Sequence, residues 1–309
     1  MKPAFSVIFL TTLIGAGQGL FLALYLAELL LLPDPVLRGF LLAGDVVVLG
    51  FCGLGLLASF FHLGRPERAW RTATMWRTSW LSREVIILPA FMAGVFLHGL
   101  SHYFGQGPVA LIGLLTALTS LALYVCTAMI YASIRFLQEW ASPLTVANYT
   151  LLGLASGFTL ATLLAAVAAP ELVAVYALLA AVFTLAGFIS RAASLLRNAR
   201  LVPKSTLQTA IGIKHPRIVQ KSQGFMGGAF NTREFFHGRS AALLRAVKWS
   251  FLLLVFPLPL LFIVGGLQAG SLPLLAAAFA LQYLGLLAER WYFFAQANHP
   301  QNLYYQTVA

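Results

Sequence analysis

Two residues stand out by type and spacing, His62 and Glu84. They close the stretch SFFHLGRPERAWRTATMWRTSWLSRE (59–84), which has apolar runs on either side. Imidazole and carboxylate are side chains that exchange protons readily and act as general acids and bases. His62 ends one apolar run and Glu84 opens the next, so the connecting segment should return both to one membrane boundary, facing each other. The dipole of a helix C-terminus favours imidazolium, and that of a first helical turn favours carboxylate. A quinone has two carbonyl oxygens, each needing a hydrogen bond and then a proton as electrons arrive, and such a pair suits it. A helix cap joined to an interfacial ion pair would use the same two residues. Ser82, Arg68 and Trp80 complete the candidate quinone-contacting set. Trp70, Trp76 and Trp80 read first as an interfacial aromatic belt, and could also wall a flat apolar pocket.

Ionisable residues inside apolar runs are costly unless paired or hydrated, so each is a candidate for function. Glu28 and Asp45 fall toward the far ends of the first two runs, where they could line a proton path or simply reach the interface. Glu289 and Arg290 lie in the last run, placed to pair with other helices or to cap the span. His98 and His102, spaced i,i+4, are expected at the interface. Haem b needs an opposing axial ligand in another span. His62 falls at a boundary and His215, His237 and His299 fall outside the runs, so no haem is expected. Cys52 and Cys126 form no CxxC pair and should be small buried hydrophobes. No metal of the chain's own is expected, and metal redox chemistry would have to come from another chain.

These residues are positioned by a bundle that composition demands. The 309 residues are 60% hydrophobic and 9% charged, far below the quarter usual for soluble domains. Lipid must cover what polar groups cannot. Eight runs are long enough to cross a bilayer, which takes about 20 apolar residues each: 5–32, 40–62, 84–103, 108–134, 146–169, 171–195, 246–267 and 271–296. Their unbroken apolar character excludes alternating barrel strands, so the fold class is all-α, a single eight-helix membrane domain. Pro33 and Pro35 should stop the first helix, Gly64 and Pro66 the second, and Ser82 is a plausible N-cap for the third.

With this helix count, 19 of the 20 Lys and Arg residues fall on one face and only Arg38 on the other. By the positive-inside rule that face is cytoplasmic, as are both termini, in a bacterial inner membrane. The net charge of +11 is thus explained by topology and anionic lipid, without nucleic acid. Arg65, Arg71 and Arg77 orient the chain and are also candidates for docking a partner. The long loop 196–245 carries apolar residues in polar surroundings, GFMGGAFNTREFFHGR, and Phe225, Phe230, Arg233 and Phe235 are further docking candidates. The tail ANHPQNLYYQTVA is uncharged and amide-rich, and should pack against loops or a partner. A transporter would place its polar ligands near the midplane on broken helices, whereas the polar cluster here lies at one face. A purely structural anchor is the other alternative.

Ser59, His62-Leu63-Gly64, Pro66, Arg68-Ala69, Ser79, Leu81-Ser82 and Glu84 resemble the signature of the dimethyl sulfoxide reductase anchor subunit family. Eight helices and the chain length fit too. The resemblance implies a haem-free anchor of a complex built from three subunits. A molybdopterin catalytic subunit would do the chemistry and a four-cluster iron–sulfur subunit would relay electrons. The anchor would exchange those electrons with the quinone pool, ubiquinone or menaquinone, using His62 and Glu84. The long loop and the NHPQNLYYQ tail look more like the related anchors of quinone-reducing sulfite dehydrogenases, which favours sulfite oxidation over sulfoxide reduction.

Overall fold

The computed structural model describes residues 1–31, 35–61, 63–105, 107–219, 221 and 239–303. His62, Phe225, Phe230, Arg233 and Phe235 lie outside these. Among the described residues all regular structure is helical, and eight helical spans are long and apolar enough to cross a membrane. They are α1 (Phe5–Leu30), α2 (Pro35–Phe60), α3 (Trp80–Phe104), α4 (Val109–Ala132), α5 (Pro143–Ala168) and α6 (Val173–Ala199). A short exposed α7 (Leu207–Ile211) follows, then α8 (Ala241–Val255) and α9 (Pro257–Ala269), which together make the seventh span, and finally α10 (Leu272–Ala295).

Local chemistry sets the helix boundaries, and several differ from expectation. Pro35 opens α2, because proline's missing N–H is no loss in a first turn. Ser79, not Ser82, caps α3: its side chain accepts the Ser82 backbone N–H at 3.3 Å. Helix α3 therefore starts at Trp80 and Glu84 sits in its second turn, deeper than a first-turn residue would. Span seven breaks at Phe256 (φ −110, ψ −77), since the Pro257 ring cannot continue the hydrogen-bond ladder.

Helices α1 and α5 form the centre, with α2, α4, α6 and α10 packed around them and α3 against α2 and α4. The α1–α5 crossing depends on glycine. A Cβ on Gly157 would collide with the Gly19 backbone, and one on Gly19 would meet the Gly157 Cα at 3.0 Å. Small residues of this kind let membrane helices approach backbone to backbone. The core around this crossing includes Leu20, Phe21, Leu24, Phe91, Val95, Phe158 and Tyr176. A second, aromatic cluster of Tyr131, Trp140, Tyr149, Phe293 and Phe294 lies where α4, α5 and α10 converge.

Because the helices alternate in direction, one end of the bundle carries residues 1–4, the 61–79 segment, the 133–142 turn and the end of α10. Most of the described Lys and Arg residues lie in these segments or at the helix ends beside them, here called the arginine-rich face. The 61–79 segment contains a 3-10 helix (Pro66–Met75). Arg83 fastens it to α3, donating from Nε to the Trp76 carbonyl at 2.9 Å and from Nη2 to the Arg77 carbonyl at 2.8 Å.

Candidate functional site

The inner stripe of α3 carries polar groups at both ends. Glu84, Leu88, Phe91, Val95, His98 and His102 follow one another at spacings of three and four, which puts them on one helix face. Leu88, Phe91, Val95 and His98 are buried. At about 1.5 Å per residue, Glu84 and His98 stand roughly 21 Å apart along the axis.

At the arginine-rich end, half-buried Glu84 reaches between helices. Thr127 Oγ1 of α4 donates to its Oε1 at 2.5 Å. A void of about 10 Å³, room for a water, adjoins the carboxylate and is lined by α1 (Thr11, Gly15, Gln18), α4 (Tyr124, Thr127) and α5 (Tyr149). Tyr124 donates to the Gly15 carbonyl at 2.6 Å, and Gln18 Nε2 donates to the Ser120 carbonyl at 2.7 Å. These bonds fix α1 against α4 around the acid. The neighbours of Glu84 in this void thus come from α1, α4 and α5, not from α2.

Tyr149 links Glu84 to a buried charge cluster. The Arg290 guanidinium lies 3.8 Å over the Tyr149 ring. Glu289 stands between two cations, with Oε1 2.7 Å from Arg191 Nε and Oε2 2.6 Å from Arg290 Nε. All three are at most 3% exposed. Two guanidiniums and one carboxylate leave a formal charge of +1, and the rings of Phe251 and Tyr292 face Arg191. Glu289 and Arg290 therefore pair within the bundle. Arg191 falls inside the predicted 171–195 span, four residues from its end, and sequence reasoning counts it only as a cation of the basic face.

The other candidates at this end divide by exposure. Ser82 is buried in the first turn of α3. Trp80 is half-buried, with the Arg83 guanidinium 4.2 Å over its ring. Arg65, Arg68, Arg71 and Arg77 are all exposed. Arg68 contacts Glu67 at 3.8 Å on the same 3-10 helix, which groups it with the docking arginines. Trp70 and Trp76 are 66% and 53% exposed, each beside its neighbouring arginine. The tail's Asn298 donates from its backbone N and from Nδ2 to Glu139 Oε1 at 3.3 and 3.4 Å. Burial, and then the nearby N-terminal ammonium, hold the His299 imidazole below its ordinary range.

At the opposite end, the structure corrects the reading of the helix-three histidines. His98 is fully buried rather than interfacial. Its Nδ1 lies 2.7 Å from Asp45 Oδ2 of α2 and its Nε2 3.1 Å from Glu28 Oε2 of α1. His102 Nε2 is 3.3 Å from His98 Nε2. Glu28 and Asp45 thus meet through a histidine. A cavity of about 220 Å³ lined by Glu28, Arg38, Ser101 and His102 adjoins them.

Among the described residues, eight helical spans long and apolar enough to cross a membrane make this a multi-pass membrane protein. The sequence matches the family described as DMSO reductase anchor subunit (DmsC) over residues 1–296, and the chain belongs to that family. It is also 55% identical over 326 residues to a sulfite dehydrogenase subunit of Allochromatium vinosum, with 100% of both chains covered. The protein is thus a multi-pass membrane anchor.

Proposed function

We propose that the anchor passes electrons between a partner iron–sulfur subunit and the quinone pool, with Glu84 as the acid at the quinone. The supporting observation is the position of Glu84. It is half-buried in the second turn of α3, at the arginine-rich end, and held by Thr127. The adjoining void is water-sized, so a quinone ring would meet the carboxylate from outside it, on the side of Trp80. Reducing a quinone to a quinol takes up two electrons and two protons. Glu84 would deliver one proton at a carbonyl oxygen, Thr127 would orient it, and His62 is the proposed partner for the second oxygen. In the reverse direction the same groups would accept protons.

Electrons would enter from the exposed surface of Arg65, Arg68, Arg71 and Arg77, with Phe225, Phe230, Arg233 and Phe235 of the long loop as further contacts. A four-cluster iron–sulfur subunit docked there would in turn serve a molybdopterin catalytic subunit. The relative's name, a sulfite dehydrogenase, favours sulfite oxidation coupled to quinone reduction, and the family description leaves quinol-driven sulfoxide reduction as the alternative. Positive-inside segregation makes the arginine-rich face cytoplasmic, in a bacterial inner membrane.

The test uses the assembled complex. Glu84→Gln should cut quinone-linked turnover by about 100-fold or more, the scale of a lost general acid. Turnover with a soluble dye acceptor, which bypasses the anchor, should stay unchanged. Full quinone-linked turnover in that variant would overturn the role of Glu84.

A further inference from the structure

We infer that Glu28, His98 and His102 form a binding site for a divalent transition-metal ion of the zinc class, with Asp45 as its outer-shell partner. The site lies at the end of the bundle remote from Glu84. Its donors come from two helices: Glu28 from α1, and the i,i+4 pair His98 and His102 from one face of α3. The candidate ligand atoms of the three residues all lie within 4.8 Å of one another. His98 Nε2 is 3.1 Å from Glu28 Oε2 and 3.3 Å from His102 Nε2. A tetrahedral ion with bonds of about 2.0–2.1 Å holds its ligand atoms roughly 3.3–3.4 Å apart. Two of the three spacings match, and the third, between Glu28 and His102, lies within 4.8 Å, so closure asks for a shift of that pair alone.

Further observations bear on what the cluster could hold. His98 Nε2 lies within hydrogen-bond distance of both Glu28 Oε2 and His102 Nε2, so a single proton on it would have to serve two acceptors. A dication instead engages all three lone pairs. On its other side, His98 Nδ1 faces Asp45 Oδ2 at 2.7 Å, the carboxylate–histidine arrangement that fixes the tautomer of a metal-bound imidazole. A dication with two carboxylates and two neutral imidazoles makes an uncharged donor set, to which Arg38 at the cavity wall adds one positive charge. The adjoining cavity, about 220 Å³ and partly polar, leaves room for water at a fourth position. Two imidazoles, one carboxylate and an open position make a donor set typical of zinc. Arg38 at the cavity wall weakens the site by repulsion without being a ligand.

The assay is zinc content per anchor in the purified complex after equilibration with micromolar zinc, with zinc-edge X-ray absorption to identify the ligands. Iron and molybdenum in the same sample report assembly. The wild type should hold about one zinc, with histidine and carboxylate scattering. His102→Ala should lose it, and Asp45→Asn should weaken binding about 10–100-fold. Arg38→Ala should retain or tighten it, which a structural role for the cluster would not produce. Wild-type zinc no higher than in His102→Ala overturns the site. Should His102→Ala fail to assemble, the wild type decides alone: no zinc, or zinc without imidazole scattering, overturns it.

Discussion

The two ends of α3 place titratable groups on the same helix face but in different company. At the arginine-rich end the Glu84 carboxylate is held by one hydroxyl, is partly exposed and adjoins a void of about 10 Å³. At the other end a histidine is fully buried between two carboxylates and next to a second histidine. Between them Leu88, Phe91 and Val95 fill the stripe, and Phe21 of α1 meets the Phe91 and His98 rings edge-on. A partly exposed, lightly held acid suits proton exchange with a mobile ligand. A closed, fully ligated histidine suits holding a fixed charge. The apolar layer lets one helix carry both.

Substitutions can break this contrast, and the largest effect belongs to Glu84→Gln, already placed at about 100-fold in quinone-linked turnover. Thr127→Val comes next. It keeps the shape but removes the donor to Glu84, and a hydrogen bond to a charged group is worth about 1.5–3 kcal/mol. Roughly a tenfold or greater fall is expected, visible in steady-state turnover of the complex with added quinone. Smallest is the coupling between the ends. Groups this far apart, with no shared partner, interact by less than about 0.5 kcal/mol. The turnover effects of Glu84→Gln and His98→Gln should therefore multiply in the double variant. A larger coupling would mean that the apolar layer does not insulate. Phe91→Ala probes that layer directly through stability. A buried phenylalanine truncated to alanine costs about 3–5 kcal/mol, so the detergent-solubilised complex should melt several degrees lower.

Much of this was legible in the sequence because lipid imposes strong rules. Run length gave the eight spans, and the segregation of basic residues fixed which loops share a face. Glu84 stands out in the sequence as an acid at the start of an apolar run, and the structure places it half-buried between helices against Thr127. His98 was missed because it was judged by its distance from the helix end. Counting in threes and fours from Glu84 through Leu88, Phe91 and Val95 leads directly to it, and that stripe was the available signal. Thr127 carried no such signal, since a hydroxyl in an apolar helix can bond to its own backbone, as Thr116 does to Ile112. The cap of α3 fell to Ser79 because serine at either position satisfies the local rule, and only the backbone turn at Ser79 (φ −109, ψ 125) decides.

The opposite-end cavity is the larger of the two and has its own acid and imidazole, so it is the sharpest rival for the quinone. Photolabelling the assembled complex with an azido-quinone decides between them most directly. The label should map to peptides containing Trp80–Leu88 or Thr127 and should be displaced by excess quinone. Displaceable label concentrated instead at Glu28, Arg38 and His102 would contradict the assignment of the quinone to Glu84.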